Sequence, residues 1–221
     1  MDATYFKQFC LICYQDDSDG YTQLIRFSDG EHYEQIKEDL ENLMHLGVKL
    51  ESITTDGHKS ILKAIKKVMP DTIAQRCLVH IQRMCLIWLT KYPKHIAGQE
   101  LRGLVLLILK INNENDKLFW KRELFSWHKR HKEYLNEKTY NMQTGRYWYT
   151  HKMLRRSYFT IKRALPSMFH YLTYPNVPKT TNGIEGFFSH LKNHLDLHRG
   201  LTIKNRINFI KWYMFFSNEK I

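Results

Sequence analysis

The stretch from Ser52 to Arg83 constrains this chain more than any other, because it alternates two structural signals at short, regular lengths. An apolar run from Leu50 to Thr54 stops at the turn dipeptide Asp56-Gly57. Ile61, Leu62, Ile65 and Val68 then recur at the three-and-four spacing of a buried helical stripe, and Pro70-Asp71 ends it. A second run, Thr72 to Val79, holds Cys77, reaches His80 and leads into another apolar helix through Trp88. Strand, turn, helix, strand is a parallel crossover. Such sheets present polar functional groups at the carboxyl ends of their strands, and Asp56 stands at one.

Upstream of the crossover, Asp2 lies almost at the start of the chain. Phe6 to Tyr14 reads as a strand, Asp16 to Gly20 as a hairpin loop and Tyr21 to Phe27 as the returning strand. Tyr33, Ile36, Leu40, Leu43 and Met44 then form one helical face that Gly47 terminates. The expected order is three strands, helix, strand, helix, strand: an α/β fold with a mixed sheet and helices against it.

Beyond Thr90 the patterns turn helical, with no clear strand pair from about Tyr92 to Tyr171. Trp120, Trp127, Tyr147, Trp148 and Tyr149 are interleaved with the basic runs His128 to Lys132 and His151 to Arg156. Thr173 to Thr181, with Pro175 and Pro178, reads as a connector. Asn182-Gly-Ile-Glu185 opens a helix with Ile184, Phe187, Phe188, Leu191 and Leu195 on its apolar face, and a last amphipathic segment runs from Leu201 to Phe216. The expected partition is 1–91, 92–174 and 175–221.

Charge sharpens the division. The net charge is +12, which favours a polyanionic partner. Residues 1–56 hold 12 acidic and 4 basic side chains, a balance of 4 − 12 = −8. The remainder therefore carries +12 − (−8) = +20, and residues 121–163 alone hold 12 Lys or Arg against 3 Glu. Within that block, Lys129, Arg130, Lys132, Lys152, Arg155 and Arg156 are the candidate contacts to such a partner, which the resemblance given below implies is DNA. Four cysteines without a secretory leader point to a reducing interior and a protein that is not secreted. Cys10 and Cys13 have the gap of a zinc half-site, but in a strand residues three apart face opposite sides. The longest apolar run, Leu104 to Leu109, is too short to span a bilayer.

Four blocks, in order, resemble DDE transposases of the Mutator-like group and their related bacterial insertion-sequence enzymes. They are Met1-Asp-Ala-Thr-Tyr-Phe6, Thr55-Asp-Gly-His58, Gln75-Arg-Cys-Leu-Val-His-Ile81 and Thr181-Asn-Gly-Ile-Glu-Gly-Phe-Phe-Ser189. The resemblance implies an RNase H-like core, interrupted between the second Asp and the Glu by a mostly α-helical insertion. It matches Asp2, Asp56 and Glu185 to the three catalytic, metal-holding carboxylates, with His58, Cys77 and His80 near the site. It implies metal-dependent DNA strand cleavage and strand transfer on the terminal repeats of an element and on target DNA, by an enzyme that is a homo-oligomer when active. The setting would be the cytoplasm or nucleoid of a bacterium, or the nucleus of a eukaryote. In this family the first Asp lies within a central strand, and a DNA-binding segment precedes it. With only Met1 before Asp2, the first strand is expected to be truncated and the chain to be a fragment.

The residue types suit that chemistry. Two Mg²⁺ ions roughly 4 Å apart can activate the attacking oxygen and stabilise the leaving one. Hard cations such as Mg²⁺ or Mn²⁺ take oxygen ligands, so converging carboxylates fit and cysteine does not. The separations are 56 − 2 = 54 and 185 − 56 = 129 residues, and an inserted domain accounts for the second. Each residue also has a plainer reading: Asp56-Gly57 as a turn, Glu185 as the far side of a capping box opened by Asn182, Asp2 as a solvated terminal residue. Cys77 and His80 can be core residues, the aromatics packing and the basic runs a solvated face. The alternative function is an inactive transposase remnant acting only as a basic DNA-binding or oligomerising fragment.

Overall fold

The computed structural model describes residues 1–219. By contacts it divides into two compact units, Met1–Cys77 with Asn176–Ile221, and Leu78–Pro175.

In the first unit, strands β1 (Asp2–Tyr5), β2 (Cys10–Gln15) and β3 (Thr22–Ser28) form an antiparallel sheet in that order. Asp2 pairs with Cys13 and Tyr5 with Cys10. The apolar run expected as one strand from Phe6 is in fact broken. Phe6 to Phe9 is the β1–β2 turn, closed by the Phe6 amide donating to the Phe9 carbonyl at 2.8 Å, and the two rings pack at 4.8 Å. The apolar signal there comes from a turn that buries its own side chains, not from a pleated strand.

The middle strand is buried on both faces. Cys10, Ile12 and Tyr14 share a core with Ile36, Leu40 and Leu43 of helix α1 (Tyr33–His45) and Ile61, Ala64 and Ile65 of helix α2 (Lys59–Val68). Leu11 and Cys13 face the other way, into a core with Ile184, Phe188 and Leu191 of helix α7 (Asn182–Leu197) and Ile210 and Met214 of helix α8 (Ile203–Asn218). Alternation along β2 thus sends Cys10 and Cys13 to opposite cores, where two sulfurs cannot share an ion. Burial pushes both thiols up to about 11. One polar cluster sits beside the first core. The buried Asp39 carboxylate accepts from the Tyr14 hydroxyl at 3.0 Å and from Arg26 Nε at 2.8 Å.

The crossover forms as its sequence demands. Strands β4 (Ser52–Thr55) and β5 (Ile73–Arg76) run parallel, joined through α2, with Thr54 opposite Gln75. The second run ends earlier than its apolar residues suggest: Cys77 follows β5, and Leu78 and Val79 already belong to helix α3 (Leu78–Leu89). The Met1 amino group donates to the Thr54 carbonyl at 3.1 Å, so the start of β1 lies beside the end of β4. The returning chain crosses the same strand, where the Thr54 hydroxyl donates to the Pro178 carbonyl at 2.7 Å.

The second unit contains α3, α4 (Ile96–Leu107), α5 (Glu114–Asn136) and α6 (Lys152–Ala164). Its core joins Ile81 and Cys85 of α3, Leu101 and Val105 of α4, Trp120, Leu124 and Trp127 of α5, and Tyr158 and Ile161 of α6. Each buried tryptophan satisfies its indole N–H, Trp120 on the Leu104 carbonyl at 2.8 Å and Trp127 on the Ala97 carbonyl at 3.0 Å. A strand pair does occur here, contrary to the sequence expectation: β6 (Lys138–Tyr140) and β7 (Tyr147–Tyr149) form an antiparallel hairpin. Its turn is built by Asn141, whose side chain accepts from the Gln143 and Thr144 amides, and by Gly145 at φ +64°. Most of its residues are exposed, so no in–out alternation marks it in the sequence.

Candidate active site

The proposed carboxylates begin with Asp2, on the first residue of β1 and only 5% exposed. A buried carboxylate needs hydrogen bonds. Its Oδ1 accepts from the Ala3 amide at 2.9 Å, and its Oδ2 lies 3.4 Å from the Thr181 hydroxyl. Thr181 immediately precedes α7, and its side chain makes no capping bond to the helix. The hydroxyl instead reaches Asp2 and, also at 3.4 Å, the Cys77 sulfur, on which the Thr181 amide donates at 3.3 Å. Asp2 is therefore no solvated end residue. It is held by the segment that introduces Glu185.

Asp56 directly follows β4 and is half-buried. Its Oδ1 accepts from the His58 amide at 2.8 Å, so the plain-turn reading describes its local geometry correctly. Gly57 adopts φ +82°, a left-handed conformation that glycine takes without steric cost. Across from it the Arg76 guanidinium donates through Nη2 to the Asp56 carbonyl at 2.7 Å. A side chain at residue 57 would collide with that guanidinium. The Cys77 amide closes the same corner by donating to the Thr55 carbonyl at 2.8 Å.

Glu185 occupies the first turn of α7, its amide donating to the Thr181 carbonyl at 3.0 Å. A carboxylate oxygen of Glu185 and the Cys77 sulfur lie within 4.8 Å of one another. The first unit thus brings together the start of β1, the end of β5 and the first turn of α7, carrying Asp2, Cys77 and Glu185, while Asp56 stands at the neighbouring end of β4 with its carboxylate bonded to its own loop. His58 is exposed on the loop after Asp56, and His80 stands in the first turn of α3, in the second unit.

Three contributors escape a reading of the sequence: Thr181, described above, Arg76 and Glu31. Arg76 braces the backbone of Asp56, and its only signal was its place beside Cys77 in the third block. Glu31 accepts from the Tyr5 hydroxyl at 3.0 Å. Burial, then the negative charge of Asp56 and more weakly that of Asp2, hold the Glu31 carboxyl above the ordinary range, while Tyr5 and His58 pull the other way. A divalent cation among these groups would offset the negative charge that Glu31 meets. The oxygen donors of Asp2, Asp56 and Glu185 suit a hard one such as Mg²⁺.

In the second unit the six candidate DNA-contact residues fall into two groups. Lys129, Arg130 and Lys132 are exposed on α5, where Arg130 pairs with Glu100 at 3.0 Å. Lys152, Arg155 and Arg156 line a concavity of about 670 Å³ between β7 and α6. Arg155 is committed to packing, its guanidinium over Tyr149 at 3.9 Å and bonded to Asn136 Oδ1 at 2.7 Å. No described helix is long and apolar enough to cross a membrane.

No curated protein is similar enough to this chain to align with it significantly. Comparison with protein families, however, matches residues 3–187 to the transposases of the Mutator family. That span runs from β1 through the first turn of α7 and includes Asp56, Cys77 and Glu185. Matching most of its length in this way, the chain belongs to the Mutator family of transposases.

Proposed function

We propose that the first unit is the catalytic domain of a DDE transposase with an RNase H-like core, and that it cuts a DNA strand and transfers the resulting 3′ end. The observation that carries this reading is Asp2 and Glu185 tied to one threonine–cysteine pair, beside the strand end that carries Asp56. In the proposed core the sheet order is β3-β2-β1-β4-β5, supported by the antiparallel pairs of β2, the parallel β4–β5 pair and the Met1–Thr54 bond.

Asp2, Asp56 and Glu185 would hold the metal. Two bound Mg²⁺ ions, or Mn²⁺, supply Lewis acidity at the attacking and leaving oxygens of a phosphodiester. The chain's own residues fix the ligands beforehand. The Ala3 amide and Thr181 hydroxyl orient Asp2, the His58 amide takes one oxygen of Asp56, and Arg76 clamps the Asp56 backbone. Such preorganisation matters because misplacement of a reacting group by about 1 Å can cost on the order of a hundredfold in rate. The basic second unit supplies the charge for phosphate contacts, so binding should weaken steeply with salt.

The test is cleavage of a labelled duplex bearing the element's terminal repeat, with Mg²⁺ or Mn²⁺. Asp56→Asn and Glu185→Gln should each abolish product while DNA affinity stays within about twofold. Cleavage that survives both substitutions sinks the assignment. A wild-type chain that binds DNA yet cuts under neither metal is the inactive remnant instead.

A further inference from the structure

We propose that the groove between β7 and α6 is a binding site for unpaired DNA, in which a base stacks on Trp148 and neighbouring phosphates meet Lys152, Arg156 and Arg163. The proposal rests on the transposase reading for its choice of DNA, since strand cutting exposes unpaired nucleotides.

The five tryptophans sort by what covers them. Trp120 and Trp127 are buried in the core with their N–H groups bonded. Trp88 is half-buried beneath the Arg156 guanidinium, 4.3 Å from the ring centre. Trp212 is exposed but stacks on Phe216 at 5.7 Å. Trp148 is 48% exposed, lines the groove and makes no ring or cation–π contact among the described residues. Its strand neighbours are already engaged, Tyr147 by Lys138 Nζ at 4.1 Å and Tyr149 by Arg155 at 3.9 Å. An aromatic ring left uncovered inside a concavity that also presents Lys152, Arg156 and Arg163 is suited to a flat apolar face joined to negative charge.

Unpaired DNA has that combination, and duplex DNA does not offer it. In a duplex both faces of each base are covered by neighbours, and sequence is read from base edges by hydrogen-bonding side chains. The groove's side chains are cationic or aromatic, which suits phosphates and base faces. Binding of this kind is tolerant of sequence and strongly salt-dependent.

The experiment measures affinities by fluorescence anisotropy in EDTA, so that cleavage plays no part, using the full chain, a labelled (dT)20 and a 20-base-pair duplex. Trp148→Ala should weaken (dT)20 binding at least about fivefold, the lower end for loss of one base–aromatic stack. Duplex affinity should change less than twofold, and Trp148→Phe should keep single-strand affinity within about threefold of wild type. Arg163→Gln should reduce the slope of log K against log salt by about 0.7 on the single strand. Unchanged (dT)20 binding by Trp148→Ala, or equal losses on single strand and duplex, overturns the proposal. Tighter Trp148-dependent binding of (rU)20 overturns the assignment to DNA. Loss of the cleavage reading with Trp148-dependent (dT)20 binding intact leaves the groove standing. Absence of single-strand binding in a chain that still cleaves removes only the groove.

Discussion

Gly57 offers a sharp test of how the Asp56 corner is built, because two separate costs meet there. Alanine at this position must hold φ +82°, which costs an L-residue roughly 1–2 kcal/mol. Its Cβ would also land on the Arg76 guanidinium and force it away. The bond from Arg76 Nη2 to the Asp56 carbonyl, 2.7 Å long, is charge-assisted and contributes about 1.5–3 kcal/mol. Gly57→Ala should therefore destabilise by about 2.5–5 kcal/mol. In an Arg76→Ala background the guanidinium and its bond are already gone, so the same glycine change should cost only the backbone part, about 1–2 kcal/mol. The two substitutions are then sub-additive by about 1.5–3 kcal/mol. Urea unfolding of all four proteins, followed by circular dichroism without metal, closes the cycle. If Gly57→Ala costs the same in both backgrounds, to within about 0.5 kcal/mol, the guanidinium is not what makes glycine necessary.

Other parts of the structure carry their own expectations. Asp39→Ala leaves Arg26 and the Tyr14 hydroxyl without their shared acceptor, and should destabilise by about 2–4 kcal/mol in urea. This lies below the full cost of breaking a buried pair, since the Arg26 side chain is 23% exposed. Leu124→Ala, at a fully buried position, should cost about 2–5 kcal/mol, whereas Met142→Ala at 97% exposure should stay within about 0.5 kcal/mol. The His128 imidazole is held below its ordinary 6.5 by burial first, then by Lys162, Lys132 and Arg155. Because the unfolded chain takes up that proton more readily, His128 contributes stability above pH 6.5 that is lost as pH falls through the folded value. His128→Gln should flatten that slope, measured as unfolding free energy between about pH 7 and pH 5; an unchanged slope contradicts the attribution.

The parallel crossover was legible because its two strands and its helix each bury one side or stripe, and burial writes periodicity into a sequence. The central strand was legible for a related reason, since Cys10 to Tyr14 is apolar at every position and both faces of β2 are covered. Where burial and pleat part company, periodicity misleads. Phe6 and Phe9 are apolar because they pack on each other in a turn. The β6–β7 hairpin leaves no alternating trace because most of both its faces meet solvent. At the candidate site, Asp2, Asp56 and Glu185 stood out through the order of their blocks, while the groups that position them did not. Thr181 looks like an ordinary helix start until its hydroxyl turns to Asp2 and Cys77. Arg76 acquires its role only because residue 57 lacks a side chain. Both depend on contacts between segments far apart in the chain, about which local pattern says nothing.

The polypeptide quits the first unit at Cys77 and, on coming back, sets the Thr181 amide 3.3 Å from that same cysteine's sulfur. Departure and return thus share a doorway. Whatever is strung between the two jambs can lengthen or shorten without prising Asp2 from its neighbours, at a closure cost that grows by only about 0.6 kcal/mol per doubling of length. A Mutator-family chain assembled this way can exchange its second unit wholesale while Asp2, Cys77 and Thr181 keep their contacts.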